Sequence, residues 1–259
     1  MNQEKLTELV ILAQADDAEA MEQLLFHIYT PVSYLCRKLL RNDQAADEEI
    51  REILSITAQK LNTLPDPEDF ENWILRITAS RCLQMLPQLR WGSELDYDSE
   101  PISDILGREL TPEQTSNAIQ SILDTLPEDP RTCILLYACT GMHSRAISQI
   151  SGMSQESVRT NLGRGMNLLQ ERLEEYQREG TLFSGITSLT EILRSAMWQG
   201  EDRDAALPVI YHVLGKEIPV PPDPTRWIVR VLTVIVILLA LAVLGVGALL
   251  VMRILASYK

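Results

Sequence analysis

The chain has 259 residues, 46% hydrophobic and 23% charged, a balance typical of a globular protein with room for two small domains. Its formal net charge is −13. Proteins that hold DNA unaided neutralise roughly 6–10 phosphates with Lys and Arg, so this charge argues against a free-standing DNA-binding protein. The four cysteines form no C-x-x-C pair and the three histidines are isolated. No metal site, cofactor or enzymatic activity is therefore expected, since Gly-rich phosphate loops and catalytic triads are also missing from the sequence.

Apolar residues at helical spacing predict four helices in the first third of the chain, over residues 5–12, 18–40, 45–64 and 68–86. Pro31 falls inside the second helix and is expected to kink it. We therefore predict a compact helical domain over residues 1–86. Residues 87–112 follow as a linker whose acidic run is typical of a solvated segment.

Residues 126–173 have the pattern of a helix-turn-helix, within a second helical domain predicted over residues 113–180. A short helix around 146–150 precedes a turn at Gly152, which supplies the positive φ that such a turn needs. Ser154 is a good N-cap for the long helix that follows. Residues 143–173 carry four arginines against two glutamates, too few cations for a strong solo DNA contact. The alternative interpretation is a helical hairpin with no DNA role.

Two weaker helical patterns, 188–198 and 205–214, lie in a juxtamembrane segment predicted over residues 181–225. Prolines at 219, 221, 222 and 224 then predict a stiff, extended spacer. Residues 231–252 follow without a charge, and 15 of these 22 residues are Leu, Ile or Val. At about 1.5 Å per residue such a helix crosses a hydrocarbon core of about 30 Å. Residues 226–259 are therefore predicted to form a single transmembrane anchor with a short tail, and the N-terminal bulk is expected in the cytoplasm.

Two blocks of the sequence, over roughly residues 6–86 and 119–173, resemble the sigma-70 family, in particular its small extracytoplasmic-function group. In the first block the stretch Ala46-Asp47-Glu48 with Ile50 and Ile53 falls where the family carries its polymerase-clamp motif. Phe70, Trp73, Arg76 and Ile77 follow at the family's spacing. In the second block the residues that follow the pattern of the family's −35-element reader are Leu126, Pro127, Arg131, Ile147, Gly152, Met153, Ser154, Val158, Leu162 and Arg164.

The resemblance implies an all-α chain with a sigma region 2-like bundle and a sigma region 4-like helix-turn-helix, followed by the transmembrane helix. RNA polymerase core, promoter DNA and the membrane are the implied partners, and a regulatory protein of the anti-sigma kind is a further candidate. The residues assigned to polymerase binding are Asp47, Ile50, Arg51, Ile53 and Leu54. Those assigned to DNA binding are Ser154, Gln155, Ser157, Arg159, Thr160, Arg164 and Arg131.

Within the second set the expected roles differ. Arg159 is a candidate for bidentate reading of guanine, against the alternative of a solvated helix charge. Thr160 and Arg164 are candidates for phosphate contacts. Arg131 is expected to pack or to hold backbone phosphate, rather than to read bases.

The chain departs from the family pattern in the first block. Arg51 stands where the family usually has glutamine, and Glu49 stands where an apolar residue is usual. The customary arginine run after this domain is reduced to Arg81 and Arg90, on a surface that needs cations to hold melted DNA. These departures keep two alternatives open: a degenerate sigma-like module that is tethered to the membrane and does not initiate transcription, and a free-standing membrane-bound regulator. The net charge argues against the second alternative.

Overall fold

The computed structural model describes residues 2–90, 106–183, 188–199 and 203–217, which are almost entirely helical. The helices of these residues are α1 Gln3–Gln14, α2 Ala18–Leu40, α3 Asp43–Lys60, α4 Phe70–Arg90, α5 Pro112–Asp124, α6 Glu128–Thr140, α7 Ser144–Ser151, α8 Gln155–Arg178, α9 Leu189–Trp198 and α10 Arg203–Val213. Short 3₁₀ turns are Leu61–Thr63 and Pro67–Asp69, and two short strands are β1 Glu109–Leu110 and β2 Leu182–Phe183. The predicted helical class is confirmed for this part of the chain.

The first bundle consists of α1 to α4, with α2 against each of the other three helices. The side chain of Asp17 caps α2 by accepting hydrogen bonds from the backbone N–H groups of Glu19 and Ala20, both at 2.9 Å. The helix then continues without a break through Pro31, which is buried. Because α2 is continuous, its buried apolar side chains form one row along the helix, which includes Leu24, Leu25, Ile28, Val32, Leu35 and Leu39.

An ion pair ties α3 to α4 inside this bundle. Glu49 is 5% exposed, and both of its carboxylate oxygens accept hydrogen bonds from the Arg81 guanidinium, at 2.9 and 3.1 Å. Bidentate pairing of this kind offsets the cost of burying a carboxylate. Glu49, which stands where the sigma-70 family usually has an apolar residue, therefore has a structural role. Its carboxylate pairs with Arg81, one of the few cations of α4.

Helix α6 lies at the centre of the second bundle. Ten of its 13 residues are buried, because α2, α4, α7, α8 and α9 pack around it. A helix that is enclosed on so many sides carries apolar residues around its whole circumference rather than on one stripe. Residues Ile134, Leu135 and Leu136 are each at most 1% exposed.

A short parallel pairing of β1 with β2 joins the two ends of the second bundle, with Glu109 opposite Leu182 and Leu110 opposite Phe183. The backbone N–H of Gly107 also donates to the Thr181 hydroxyl at 3.2 Å. The sequence predicts an all-α chain and gives no sign of these two strands, because strands of two residues are too short to show an alternating pattern.

Polar contacts and shared core residues connect the two bundles. Tyr34 on α2 donates from its hydroxyl to Gln120 on α5 at 3.1 Å, and Lys38 pairs with Asp124. Burial raises the pKa of Tyr34 above its usual range, with smaller contributions from Cys139 and Asp124. Helices α9 and α10, predicted as part of a separate juxtamembrane segment, belong to the same compact unit, Met1–Lys216.

All four cysteines are buried. Cys36 and Cys82 face each other between α2 and α4, with their sulfur atoms 3.6 Å apart. Burial raises the pKa of Cys139 to about 12 and that of Cys133 to about 11. These two thiols therefore stay protonated and unreactive near neutral pH.

The helices of the described residues include none whose length and apolar character would let it cross a bilayer. The predicted span at 231–252 lies outside the described residues, as do residues 91–105 of the predicted linker.

Gly165 is expected to be indispensable for the packing of α8 on α6. A Cβ atom at this position would lie 2.7 Å from Ile134 Cδ1 and 3.1 Å from Pro130 Cβ. Because Ile134 is itself buried, Gly165→Ala should lower the free energy of unfolding by about 1–3 kcal/mol. Gly163 in the same helix has open space around it, so Gly163→Ala is the matched control and should stabilise by about 0.5–1 kcal/mol. Denaturant unfolding followed by circular dichroism checks both values, and equal stability of the two variants would contradict the packing argument.

Candidate nucleic-acid interface

The turn between α7 and α8 is held by side-chain hydrogen bonds. Gly152 adopts a φ of 72°, which places it in the left-handed region that the sequence analysis predicts. Ser148 donates to the Met153 carbonyl at 2.7 Å, and Ser151 Oγ accepts from the Met153 N–H at 3.3 Å. The turn is thus fixed on both sides, which sets the direction in which α8 leaves it.

Ser154 caps α8 as predicted. Its hydroxyl oxygen accepts a hydrogen bond from the backbone N–H of Ser157 at 3.0 Å, and the two hydroxyl groups are 2.9 Å apart. This bond satisfies one of the free N–H groups at the start of the helix. This cap orders the first turn of α8. The side chains of Ser154, Gln155 and Ser157 at this turn are exposed to solvent.

Apolar contacts wedge α7 and α8 together beneath this exposed turn. Ile147 and Val158 are fully buried, and Leu169 is buried further along α8. Ile150 and Leu162 pack against the same core while remaining partly exposed. The predicted helix-turn-helix therefore has a real interface between its two helices, and this interface fixes which face of α8 points outward.

The outward face of α8 carries the residues that the sequence assigns to DNA. All six of the following are exposed: Ser154, Gln155, Ser157, Arg159, Thr160 and Arg164. Gln155 also reaches back to the Ser144 hydroxyl at 3.4 Å, at the start of α7. No ion pair joins Arg159 or Arg164 to another described residue, so both guanidinium groups are available to a ligand. Polar donors and unpaired cations on the first turns of an exposed helix suit a nucleic-acid contact.

Arg131, for which the sequence leaves packing or a phosphate contact open, does not lie on this surface. Its side chain is 1% exposed, and it lies on α6 among residues that both bundles bury. A group enclosed in this way cannot reach a phosphate on the protein surface. The sequence places Arg131 early in the helix but contains no signal that α6 is surrounded on all sides.

Helix α3 divides the proposed polymerase-binding residues into two groups. Ile50, Ile53 and Leu54 are at most 1% exposed and form part of the bundle core, so they hold α3 in place and are not available to a partner. Arg51 is exposed, and Asp47 is partly exposed while it pairs with Arg37 at 2.7 Å. The accessible part of the set is therefore polar, and the exposed Glu48 and Glu52 extend it on the same helix.

Helix α4 and the helix-turn-helix face each other across a cleft. Asn72 and Arg76 of α4 line one wall, and His143, Arg145 and Gln149 line the other. Sequence reasoning did not identify this cleft, because it arises from the packing of α7 on α4, which are far apart in the chain. It places Arg76 and Arg145, two exposed cations, around one opening.

Comparison with known proteins gives a family match over the second bundle. The family model described as "Sigma-70, region 4" matches residues 116–169, from α5 into α8. The probable RNA polymerase sigma factor RfaY of Xanthomonas campestris is 25% identical over 171 residues, which cover 61% of this chain and 42% of the relative. RNA polymerase sigma factor SigZ of Bacillus subtilis is 24% identical over 156 residues, covering 60% of this chain and 87% of the relative.

A third relative, ECF RNA polymerase sigma factor SigE of Mycolicibacterium smegmatis, is 29% identical over 118 residues, which cover 44% of this chain and 46% of the relative. The chain thus spans less than half the length of two of these three relatives. The matched region ends within α8 and contains the turn and the exposed first turns described above. The chain is therefore similar to sigma-70 factors, through the region 4 match and through three sigma factors, one of which carries the ECF name.

Proposed function

We propose that the chain is a membrane-anchored sigma factor, which docks on RNA polymerase core and directs it to promoters by reading DNA with α8. The observation that carries this proposal is the exposed, capped start of α8 within the matched region 4. In a helix-turn-helix this end of the second helix enters the major groove.

The side chains on this end suit two kinds of DNA contact. Ser154, Gln155, Ser157 and Arg159 occupy the first turns of α8, where base edges come within reach. Arg159 carries the donor geometry for the O6 and N7 atoms of guanine. Thr160 and Arg164, further along, are suited to phosphate and would set the register of the helix on the duplex.

Charge supports a requirement for polymerase. The chain carries −13 overall, and Arg81, one of the remaining cations of the first bundle, is occupied by Glu49. The unpaired cations on α8 fall short of the roughly 6–10 phosphate contacts of a strong solo DNA-binding protein. Docking through the exposed polar face of α3 would place α8 near DNA and supply the missing affinity through the rest of the complex.

The alternative function is a sigma-like module that holds polymerase or a regulator at the membrane without initiating transcription. The Glu49–Arg81 pair favours it, because it removes a cation from the surface that would hold melted DNA. Transcription by purified core polymerase with the detergent-solubilised chain distinguishes the two functions. Promoter-dependent transcripts support the sigma factor, and capture of polymerase without transcripts supports the alternative.

The anchor is part of the proposal on sequence grounds alone. The charge-free residues 231–252 would hold the protein in the membrane, and the DNA and polymerase contacts require the N-terminal bulk to face the cytoplasm. In this arrangement a membrane signal or a regulatory protein of the anti-sigma kind could control access to the nucleoid.

Arg159→Ala tests the DNA-reading helix. We expect promoter binding by the polymerase complex to weaken by about 1–3 kcal/mol, because a bidentate base contact is lost. Arg172→Ala is the matched control: it removes the same charge about 20 Å further along α8, from an arginine paired with Glu175. Promoter retention measured by gel shift checks the difference, and equal retention of the two variants would refute base contact by Arg159.

Arg51→Glu tests the docking helix. Reversing an exposed charge on α3 should reduce co-purification of core polymerase about tenfold, equivalent to about 1.4 kcal/mol. Lys60→Glu makes the same charge change at the exposed end of the helix and serves as the control. Unchanged circular dichroism confirms that neither variant unfolds. If Arg51→Glu captures as much polymerase as the control variant, this face of α3 is not the docking surface.

Cell fractionation tests the anchor. The full chain should stay in the membrane fraction after washing with carbonate and high salt. Replacing both Leu239 and Leu244 with Arg should release it, because two central arginines oppose insertion by about 5–7 kcal/mol. The same two positions changed to Ala form the control and should leave the protein in the membrane. A wild-type chain found in the soluble fraction would refute the proposed membrane anchor.

A further inference from the structure

Two thiols lie against each other in the interior of the first bundle. Cys36 of α2 and Cys82 of α4 are both fully buried, and their sulfur atoms are 3.6 Å apart, within hydrogen-bond distance. A covalent bond between two sulfur atoms has a length of about 2.0 Å, so a relative shift of roughly 1.5 Å between the side chains closes the gap. The two residues therefore form a dithiol that is close to the geometry of a disulfide.

The other two cysteines do not form such a pair with each other. Cys133 and Cys139 lie six residues apart on α6, which places them about 9 Å apart along the helix axis. A disulfide requires Cα atoms within about 7 Å of each other, so these two thiols are out of reach. Both are buried like the dithiol, and they serve as internal references for it.

The buried ion pair of the first bundle lies beside the dithiol. Arg81, which binds Glu49, directly precedes Cys82 in α4. The hydrogen bond to Cys82, burial and the nearby Glu49 charge raise the pKa of Cys36, and they outweigh the opposite effect of Arg37. Cys36 therefore keeps its proton near neutral pH. Cys82 is then the sulfur left to attack an electrophile, and Cys36 is in place to react in the second step.

Both helices that carry the dithiol have a weak point near it. Pro31 lies five residues before Cys36 in α2, and Pro87 lies five residues after Cys82 in α4. Proline has no N–H group, so each helix lacks one of its backbone hydrogen bonds at this point. A missing backbone bond lowers the free energy of local opening. An oxidant close to water in size, such as hydrogen peroxide, needs only a small opening to reach the sulfur atoms.

We propose that Cys36 and Cys82 form a modification site for hydrogen peroxide, at which the two thiols are converted into a reversible disulfide that joins α2 to α4. This inference does not depend on the proposed function. It assigns chemistry to a part of the first bundle that neither the polymerase contact nor the DNA contact uses.

The reaction has two steps. The Cys82 sulfur attacks one oxygen of the peroxide, the O–O bond breaks, and the other oxygen leaves as water with the Cys82 proton, which gives a sulfenic acid. The Cys36 sulfur then attacks the Cys82 sulfur, the S–S bond forms, and the hydroxyl group leaves as a second water with the Cys36 proton. The two thiols together lose two electrons, and these reduce the peroxide to two molecules of water.

The cross-link has a consequence for the stability of the bundle. It closes a loop that runs from residue 36 to residue 82 and contains the whole of α3. A loop of this length restricts the unfolded chain, which stabilises the folded state. The bond also holds α4 to α2 next to Arg81, so oxidation fixes the helix that supplies the cation of the buried ion pair.

Peptide mapping of the full chain in detergent tests the site. The protein is treated with hydrogen peroxide, its remaining thiols are alkylated in denaturant, and it is digested with trypsin without reductant. Cleavage after Arg37 and Arg81 puts Cys36 and Cys82 in separate peptides. We expect these two peptides to be recovered as one linked species that dithiothreitol separates, whereas the peptides of α6 stay alkylated. The melting temperature, followed by circular dichroism, should be about 5–10 °C higher for the oxidised than for the reduced protein.

Two variants provide a matched comparison. Cys82→Ala removes the attacking thiol, so the linked species and the rise in melting temperature should both be lost. Cys139→Ala removes an equally buried thiol from α6, and both effects should remain. The unaltered chain gives a result by itself if the first variant does not fold, since its linked peptides are mapped directly.

Several results would overturn the proposal. Oxidation of the exposed Met166 shows that peroxide has acted on the protein, and alkylated Cys36 and Cys82 in the same sample would show that the dithiol is inert. A linked species that contains Cys133 or Cys139 would assign the reactive thiols wrongly. A Cys36–Cys82 link that leaves the melting temperature unchanged or lower would show that the bond does not fit the folded bundle.

Discussion

The enclosure of α6 is the constraint on which the rest of the structure depends. Its buried residues pack against α2 and α4 of the first bundle, α7 and α8 of the second, and α9, so the same core stabilises all of these helices. The close approach of α8 at Gly165 is one consequence, since only a residue without Cβ lets this helix lie so near to Ile134 and Pro130. The outward face of α8 is therefore set by packing that occurs on its opposite side.

Positive charge is scarce in this chain, which has 23 Lys and Arg residues against 36 Asp and Glu residues. Several of its cations are committed to internal contacts: Arg81 to Glu49, Arg37 to Asp43 and Asp47, Lys38 to Asp124 and Lys216 to Glu22. Arg159 and Arg164 on the exposed part of α8 form no ion pair with another described residue, and they lie at the proposed DNA contact. Such a distribution favours specific contact by a few groups within a larger assembly over general attraction to a polyanion.

The sequence by itself determined the helical class, most helix positions, the cap at Ser154 and the glycine turn at 152, because these depend on residues close together in the chain. The resemblance to a known family also named the α8 residues that the structure shows to be exposed. Only the tertiary structure decided that Arg131 is buried, that Glu49 pairs with Arg81, and that Ile50, Ile53 and Leu54 lie in the core. It likewise decided that α9 and α10 fold back onto the first two bundles. The reason is physical: a periodic pattern shows that a face will be buried, whereas the identity of the surface that buries it depends on contacts between residues distant in sequence.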